Sequence, residues 1–303
     1  MGSEVTAAGL RACGLDPVTV ERIVVGALAE DLGPDGLDVT TAATIDPDQR
    51  GAAELVARAG GVVAGLTLVA VVFEAVPPGS GDIEVRLHRA DGDRVPPGTV
   101  LATVTGPVRT LLTGERTVLN LISRMSGIAT HTRAWADALS GSTATVLDTR
   151  KTTPGLRELE KYAVRVGGGG NKRIGLYDVA MVKDNHKLAA GGVAAAYRRV
   201  RAAFPGVSVE VEVTTVAEAV AAVRAGASYL LCDNMPPDLL REVVAAVGDR
   251  AELEATGGLT LTNAAQYAAT GVNFLSVGAL THSSPIMDIA LDLRTGGTDR
   301  CVG

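Results

Sequence analysis

The sequence offers little for disulfide or metal-cluster chemistry. Its three cysteines, Cys13, Cys232 and Cys301, lie far apart and never form a Cys-x-x-Cys pair. That excludes a structural zinc of the usual spacing and fits a reduced, cytoplasmic setting. The four histidines, His88, His131, His186 and His282, show no metal-ligand spacing either. There is no G-x-S-x-G elbow and no G-x-G-x-x-G fingerprint, and GGGGNKR lacks the spacing of a Walker A loop. No apolar run reaches the roughly 18 residues of a membrane span, and the first residues lack a basic-then-apolar signal pattern. A soluble intracellular protein is expected, with no membrane partner. The net charge of −6 argues against a general nucleic-acid binder.

What the sequence does hold is a cationic stretch set against that acidic balance. Between Asp148 and His186 stand Arg150, Lys151, Arg157, Lys161, Arg165, Lys172, Arg173 and Lys183, with four consecutive glycines, Gly167 to Gly170. Cations gathered against the sign of the net charge suggest a site for a polyanion. Arg157, Lys161 and Arg165 fall at helical spacing and read as a solvated basic face. Arg150-Lys151 and Lys183 do not, because each follows an apolar run, where charge is costly unless it has a partner or a task.

At 303 residues, 47% hydrophobic and 20% charged, the chain is long enough for one large globular domain or two. Residues 17–31 carry Val20, Ile23, Val24, Ala27 and Leu28 at helical spacing. A turn-rich passage, DLGPDGLDVTTAATIDPDQ, follows. Residues 51–105 read as β-rich, broken by one apolar helix around Leu66–Val76. Ile83, Val85 and Leu87 alternate with polar neighbours, and a turn leads into TVLATVTG. A helix is predicted from about Thr110 to Ser126, interrupted at Ser126-Gly127, with a second run to Leu139.

From Ala144 strands and helices alternate. Apolar runs at 145–148, 179–184, 207–213, 229–233, 251–256 and 274–278 are separated mostly by helical patterns, which implies parallel strands with right-handed crossovers. Six strands fit an incomplete α/β barrel or a doubly wound sheet. The polar residues favour the barrel, because they gather at strand ends: Asp148 to Lys151; Lys183 to Asn185; Glu212; Asp233 and Asn234; Thr256, Gly257 and Gly258; Gly278. In a barrel these ends converge on one face. The glycine-rich ends of the last two strands suit a phosphate. Glu212 and Asp233 would face the cations, where carboxylates suit sugar hydroxyls or a Mg²⁺ bridging a diphosphate. Glu212 has a second reading as a solvent-facing strand residue, since Glu210 shares its side in the alternation.

Several long motifs resemble quinolinate phosphoribosyltransferase: GERTVLNLISRMSGIAT, DTRKTTPGLRELEKYAVRVGGG, NKRIGLYDVAMVKDNH and LEATGGLTLTNAAQYAATGVNFLSVGALTHS, with ALAEDLG near the start. The resemblance runs from about Val24 to Leu293. It implies an α/β protein with an N-terminal α/β sandwich domain, residues 1–119 completed by 284–303, and an incomplete, open α/β barrel over 120–283. It implies a homodimer, or a higher oligomer built from one, in which Arg116 of the GERT motif reaches the neighbouring site. The substrates would be quinolinate and 5-phosphoribosyl 1-pyrophosphate, and the products nicotinate mononucleotide, pyrophosphate and CO₂, a step of NAD biosynthesis. Carried over position by position, Arg150, Arg173 and the partner's Arg116 would hold the quinolinate carboxylates. Lys151 and Lys183 would face the diphosphate, with Thr149 beside them. Glu212 and Asp233 would bind ribose hydroxyls and Mg²⁺, the cofactor expected. Thr256, Gly257, Gly258, Gly278 and His282 would cradle the 5-phosphate, with threonine at 256 where the family usually has serine.

One position departs from the pattern. The family's N-H-R is here Asn171-Lys172-Arg173, and lysine would put a firmer positive charge against the acceptor's carboxylates. The same departure suits a paralogue acting on a different pyridine or aromatic carboxylate. A third reading, a barrel lyase with Lys183 as Schiff-base nucleophile, leaves the arginines without a task.

Overall fold

The computed structural model describes residues 3–77 and 82–294. By its internal contacts the chain divides into two compact units: residues 1–130, 154–167 and 284–303 form one, and residues 131–153 and 168–283 the other. Cys301 and residues 295–303 of the expected C-terminal completion lie outside the described residues.

The first unit opens with α1 (Glu4–Ala12), α2 (Pro17–Leu32) and α3 (Val39–Thr44). Asp16 caps α2, its carboxylate accepting the Val18 and Thr19 amides, and Pro17 takes the first turn, where its missing N–H is not needed. Val20, Val24 and Leu28 form the buried stripe of α2. The passage read as turn-rich contains α3, because the Asp38 carboxylate accepts the Thr41 amide at 3.0 Å and starts a short helix. Next come β1 (Arg50–Ala57), β2 (Gly61–Val62), α4 (Leu68–Ala75), β3 (Glu84–Leu87), β4 (Arg94–Val95), β5 (Val100–Pro107) and α5 (Val108–Ala138). An antiparallel sheet in the order β12-β1-β5-β3, with β12 at Ile289–Arg294, is the frame of this unit. Leu55 pairs with Leu291 on one side and Ala102 on the other, and Ala53, Leu55, Ala102 and Val104 are fully buried.

Helix α5 is continuous; Ser126-Gly127 does not break it. Gly127 is there for packing: a Cβ at this position would collide with the Pro285 carbonyl. The Ser126 hydroxyl is buried and accepts the Ala64 amide at 3.0 Å. A glycine and a serine in sequence read as a helix stop, yet here each serves a close contact with a neighbouring segment.

The second unit holds β6 (Thr145–Leu147), β7 (Val179–Val182), α7 (Asp184–Ala190), α8 (Val193–Ala203), β8 (Ser208–Val213), α9 (Val216–Arg224), β9 (Tyr229–Asp233), α10 (Pro237–Val247), β10 (Glu252–Thr256), α11 (Ala264–Ala268), β11 (Phe274–Ser276) and α12 (Ala279–His282). The helix between β6 and β7 in sequence, α6 (Arg157–Val166), belongs to the first unit. The six parallel strands are ordered β6-β11-β10-β9-β8-β7. Strands β7 to β11 therefore follow one another around the sheet, and β6 closes the run beside β11. A doubly wound sheet would reverse direction part-way, so this is the open barrel, with its gap between β6 and β7. Gly170 forms an isolated bridge to Leu147 at that gap, and its lack of a side chain lets the backbone approach. Among the described residues no helix is long and apolar enough to cross a membrane.

The solvated face expected for Arg157, Lys161 and Arg165 does not form. Lys161 is fully buried among Leu159, Tyr162, Ala163 and Val164, while Arg165 is exposed with its guanidinium 5.5 Å from the centre of the Tyr162 ring. Helical spacing alone could not tell an inward lysine from an outward one.

Candidate active site

At the carboxyl ends of the barrel strands lies a cavity of about 370 Å³. Its walls are Thr149, Arg150 and Lys151 after β6, Lys172 and Arg173 in the loop before β7, and Lys183 after β7. Glu212, Asp233, Glu254, Thr256 and Ser276 of β8 to β11 supply the rest of its polar lining. Strand geometry explains the convergence, since parallel strands of one barrel open their ends on one face.

The cationic wall is held by carboxylates. Asp148 is fully buried and accepts the Asn171 side-chain amide at 2.6 Å and the Lys172 backbone amide at 2.8 Å. Asp178 accepts the amides of Ile174 and Gly175 at 2.6 and 2.9 Å. Between these clamps Arg173 donates to the Val179 carbonyl at 3.0 Å. Burial lowers the Arg173 pKa, and the like charge of Arg150 lowers it further, while Glu210 and Asp178 act in the opposite sense. Two guanidinium groups that repel each other in one wall suit an anion able to accept from both.

The acidic wall comes from β8 and β9. Glu210 and Glu212 are both buried, at 7% and 8% exposure, so the solvent-facing reading of Glu212 does not hold. Period-two alternation places the two on one side, and in this barrel that side is the interior. The Glu212 carboxylate lies 4.0 Å from the Lys183 ammonium, whose side chain is half exposed. A Schiff-base lysine works through a desolvated amine, and Lys183, half exposed and beside Glu212, lacks the burial for that role. Asp233 ends β9, and Asn234 follows it in the left-handed region with φ of 51°. A non-glycine residue there is uncommon. Asn234 is held by its amide to the Thr256 carbonyl at 2.9 Å, and its side chain donates to Asp233 at 2.9 Å.

The expected phosphate cradle sits at the ends of β10 and β11. Gly257 and Gly258 have φ of 88° and 63°, values that glycine adopts without strain. Gly278 lies so close to Lys151 and His282 that a Cβ would be 3.0 Å from the lysine stem and 3.2 Å from the imidazole. The Thr281 hydroxyl donates to the Lys151 carbonyl at 2.7 Å. Of the residues named from sequence in the second unit, Thr149, Arg150, Lys151, Lys172, Arg173, Lys183, Glu212, Asp233 and Thr256 line this cavity, while Gly257, Gly258, Gly278 and His282 lie just past the ends of β10 and β11 and are not part of its lining. Arg116 is exposed on α5, in the first unit.

Lys172 occupies the wall differently from expectation. Its ammonium lies 2.5 Å from Glu254 and 3.3 Å from Glu210. Glu254 is fully buried, and its second oxygen accepts the Tyr229 hydroxyl at 2.6 Å. Glu254 and Tyr229 escaped the sequence reading. The signal for Glu254 was present, an acid two positions before Thr256 and so on the same side of β10.

Comparison with known proteins settles the lineage. Residues 38–126 match the N-terminal domain of quinolinate phosphoribosyl transferase, and residues 128–292 match its C-terminal domain. The chain belongs to the quinolinate phosphoribosyltransferase family. The nicotinate-nucleotide pyrophosphorylase [carboxylating] of Mycobacterium leprae is 48% identical over 270 residues, 88% of this chain and 94% of that one. A probable nicotinate-nucleotide pyrophosphorylase [carboxylating] of Bacillus subtilis is 43% identical over 265 residues, 87% and 90% of the two chains. The solved structure of NadC from Streptococcus pyogenes superposes with a TM-score of 0.87 at 37% identity, covering 92% of this chain and 98% of that one. The α/β architecture, with an antiparallel-sheet unit and an open parallel barrel, is shared with that solved structure.

Proposed function

We propose that the cavity joins quinolinate to the ribose of 5-phosphoribosyl 1-pyrophosphate and releases CO₂ and pyrophosphate, giving nicotinate mononucleotide for NAD biosynthesis. The observation that carries this reading is the pairing of Arg150 and Arg173 in one wall opposite Glu212 and Asp233. A dicarboxylate answers the two guanidinium forks, and a ribosyl diphosphate fits between the lysines and the carboxylates.

In this reading the pyridine nitrogen attacks C1′ as the C1′–oxygen bond to pyrophosphate breaks. Positive charge develops on the ribose, and Glu212 and Asp233 stabilise it, while Lys151 and Lys183 stabilise the departing diphosphate. The C2–carboxylate bond then breaks, its electron pair stays on C2 beside the cationic nitrogen, and a proton adds there. Thr149, Thr256, Gly257, Gly258, Gly278 and His282 hold the phosphoribosyl group. Lys172 belongs to the acceptor end of the cavity. Among the described residues no cluster of three metal-ligating side chains exists. Two carboxylates near a diphosphate still suit Mg²⁺, which binds through one or two carboxylates plus substrate phosphates. Glu212 and Asp233 would hold the ion, and when bound it supplies positive charge for the leaving diphosphate.

The reading includes a homodimer to which each subunit lends Arg116. Support comes from the exposure of Arg116 and from an apolar hollow beside the cationic wall. That hollow, about 920 Å³, is lined by Leu176, Tyr177, Phe204 and Val207 next to Arg150 and Arg173. Leu176, Tyr177 and Phe204 are 73%, 77% and 63% exposed, and a partner subunit would cover them. A cytoplasmic location goes with the free thiols of Cys13 and Cys232.

The test is a steady-state assay of the purified protein with quinolinate against nicotinate, following pyrophosphate and CO₂. Equal release of both products with quinolinate, and neither with nicotinate, is expected. Turnover of nicotinate without CO₂ would overturn the reading.

A further inference from the structure

The loop from Asn171 to Asp178 carries Arg173 to the cavity without any helix or strand of its own. It is held at its ends by Asp148 and Asp178, through the amides described above. Its middle anchor is the Lys172 side chain, 7% exposed, which runs inward to Glu254 and Glu210. Beneath that pair the Tyr229 hydroxyl takes the other oxygen of Glu254, and its ring stacks on Phe274 with centroids 5.7 Å apart. Three strands, β8, β9 and β10, are thereby tied to one loop.

We propose that Lys172 is a positioning residue for the acceptor site. Its ammonium bridges Glu254 and Glu210 and, through them, fixes the loop that aims Arg173 beside Arg150. This rests on the reading of the cavity as the quinolinate site and refines it: the charge at position 172 is directed to the barrel interior, and acceptor recognition falls to the two arginines. Several observations agree. The ammonium already lies in close contact with a carboxylate that has no exposure. Truncating one partner of such a pair strands a buried charge, which is strongly unfavourable. Burial, and then the charge of Glu254, push the Tyr229 hydroxyl far above its ordinary pKa. Tyr229 therefore remains a donor to Glu254 across the working pH range. Burial raises the Glu210 pKa above its ordinary value, with the Lys172 charge opposing.

A ligand and a positioning residue differ in what happens when Glu254 loses its charge. The experiment compares the wild type with Lys172→Met, Glu254→Gln and the double variant, measuring kcat, both KM values and the melting temperature. Lys172→Met should raise KM for quinolinate about tenfold or more and leave KM for 5-phosphoribosyl 1-pyrophosphate within about twofold. The double variant should recover most of that loss, because the stranded carboxylate is gone. Glu254→Gln alone should weaken quinolinate binding by several-fold, since the lysine loses its main anchor. A double variant no better than Lys172→Met would overturn the proposal and make Lys172 a direct ligand. Should Lys172→Met not fold, Glu254→Gln decides: unchanged or tighter quinolinate binding means a lysine released to the acceptor, and the proposal is wrong. A wild type inactive on quinolinate overturns the functional reading itself, and this one with it; departures from an active wild type bear on the positioning role alone.

Discussion

Each unit of the molecule buries an ion pair, and the two pairs are built for different duties. In the first unit Arg124 meets Glu160 at 2.9 Å, with side-chain exposures of 22% and 1%, and donates also to the Ser284 carbonyl at 3.3 Å. It joins α5, the helix at Arg157–Val166 and the segment that leads into β12. In the second unit one lysine serves two glutamates, and the lysine and Glu254 line the cavity. The contrast shows why buried charge is by itself a poor mark of function. A buried pair that ties chain segments together away from the cavity is a staple. A cluster that opens on a cavity, beside guanidinium groups that repel each other, shapes a wall that meets a ligand.

The contrast is broken if the two regions respond alike to loss of charge. Asp233→Asn should reduce kcat by about 10²–10³-fold with little change in quinolinate KM, because an interaction with charge developing in the transition state is lost. Its melting temperature should stay near that of the wild type. Unchanged turnover with a raised quinolinate KM would place Asp233 at the acceptor. Arg124→Met should do the reverse. It takes the Arg124 partner from the buried Glu160 carboxylate and should destabilise the fold by about 3–5 kcal/mol, a fall of several degrees or more in melting temperature. Below that temperature both KM values should be unaltered. A kinetic defect in a folded Arg124→Met protein would dissolve the distinction between staple and site.

The proposed dimer would sharpen it further, with Arg116 of one subunit and Arg150 of the other acting in one site. Arg116→Ala and Arg150→Ala should each be nearly inactive. Mixed under subunit exchange they should regain roughly a quarter of wild-type activity, because half the dimers then hold one intact site. Demonstrated exchange with no recovery would mean that both arginines serve the same subunit's site.

How much of this was legible beforehand depended on the range of the interaction. The six barrel strands and the convergence of Arg150, Lys151, Lys183, Glu212 and Asp233 could be read from apolar runs ending in polar residues, because parallel strands open on one face. Helix α2 and helix α4 followed from local periodicity and composition. Where a partner far along the chain decided the outcome, the sequence misled. Gly127 read as a break because the Pro285 backbone that needs its missing side chain lies far away in sequence. Lys161 read as solvated because three-to-four spacing says nothing about which face turns inward. The contacts of Lys172 with Glu210 and Glu254 could not be read, because those glutamates sit on β8 and β10 and neither strand pattern shows that their side chains meet it.

The smallest expected effect tests the electrostatics of the second pair directly. Burial raises the Glu210 pKa above its ordinary value, the nearby charge of Glu254 adds to this, and Lys172 and Arg173 oppose it. A carboxyl raised on folding binds its proton more tightly in the folded chain than in the unfolded one. Its contribution is therefore most favourable below the unfolded value of about 4.5 and is lost as pH rises through the folded value. Glu210→Gln has no such proton to lose. Its melting temperature should fall behind or match the wild type at acid pH and gain on it by a few degrees as pH rises above that value. Lys172 keeps Glu254 in this variant, so quinolinate KM should change little. A melting-temperature difference that stays flat with pH would mean that Lys172 holds Glu210 ionised throughout, and the cluster would then be a full salt bridge to both acids.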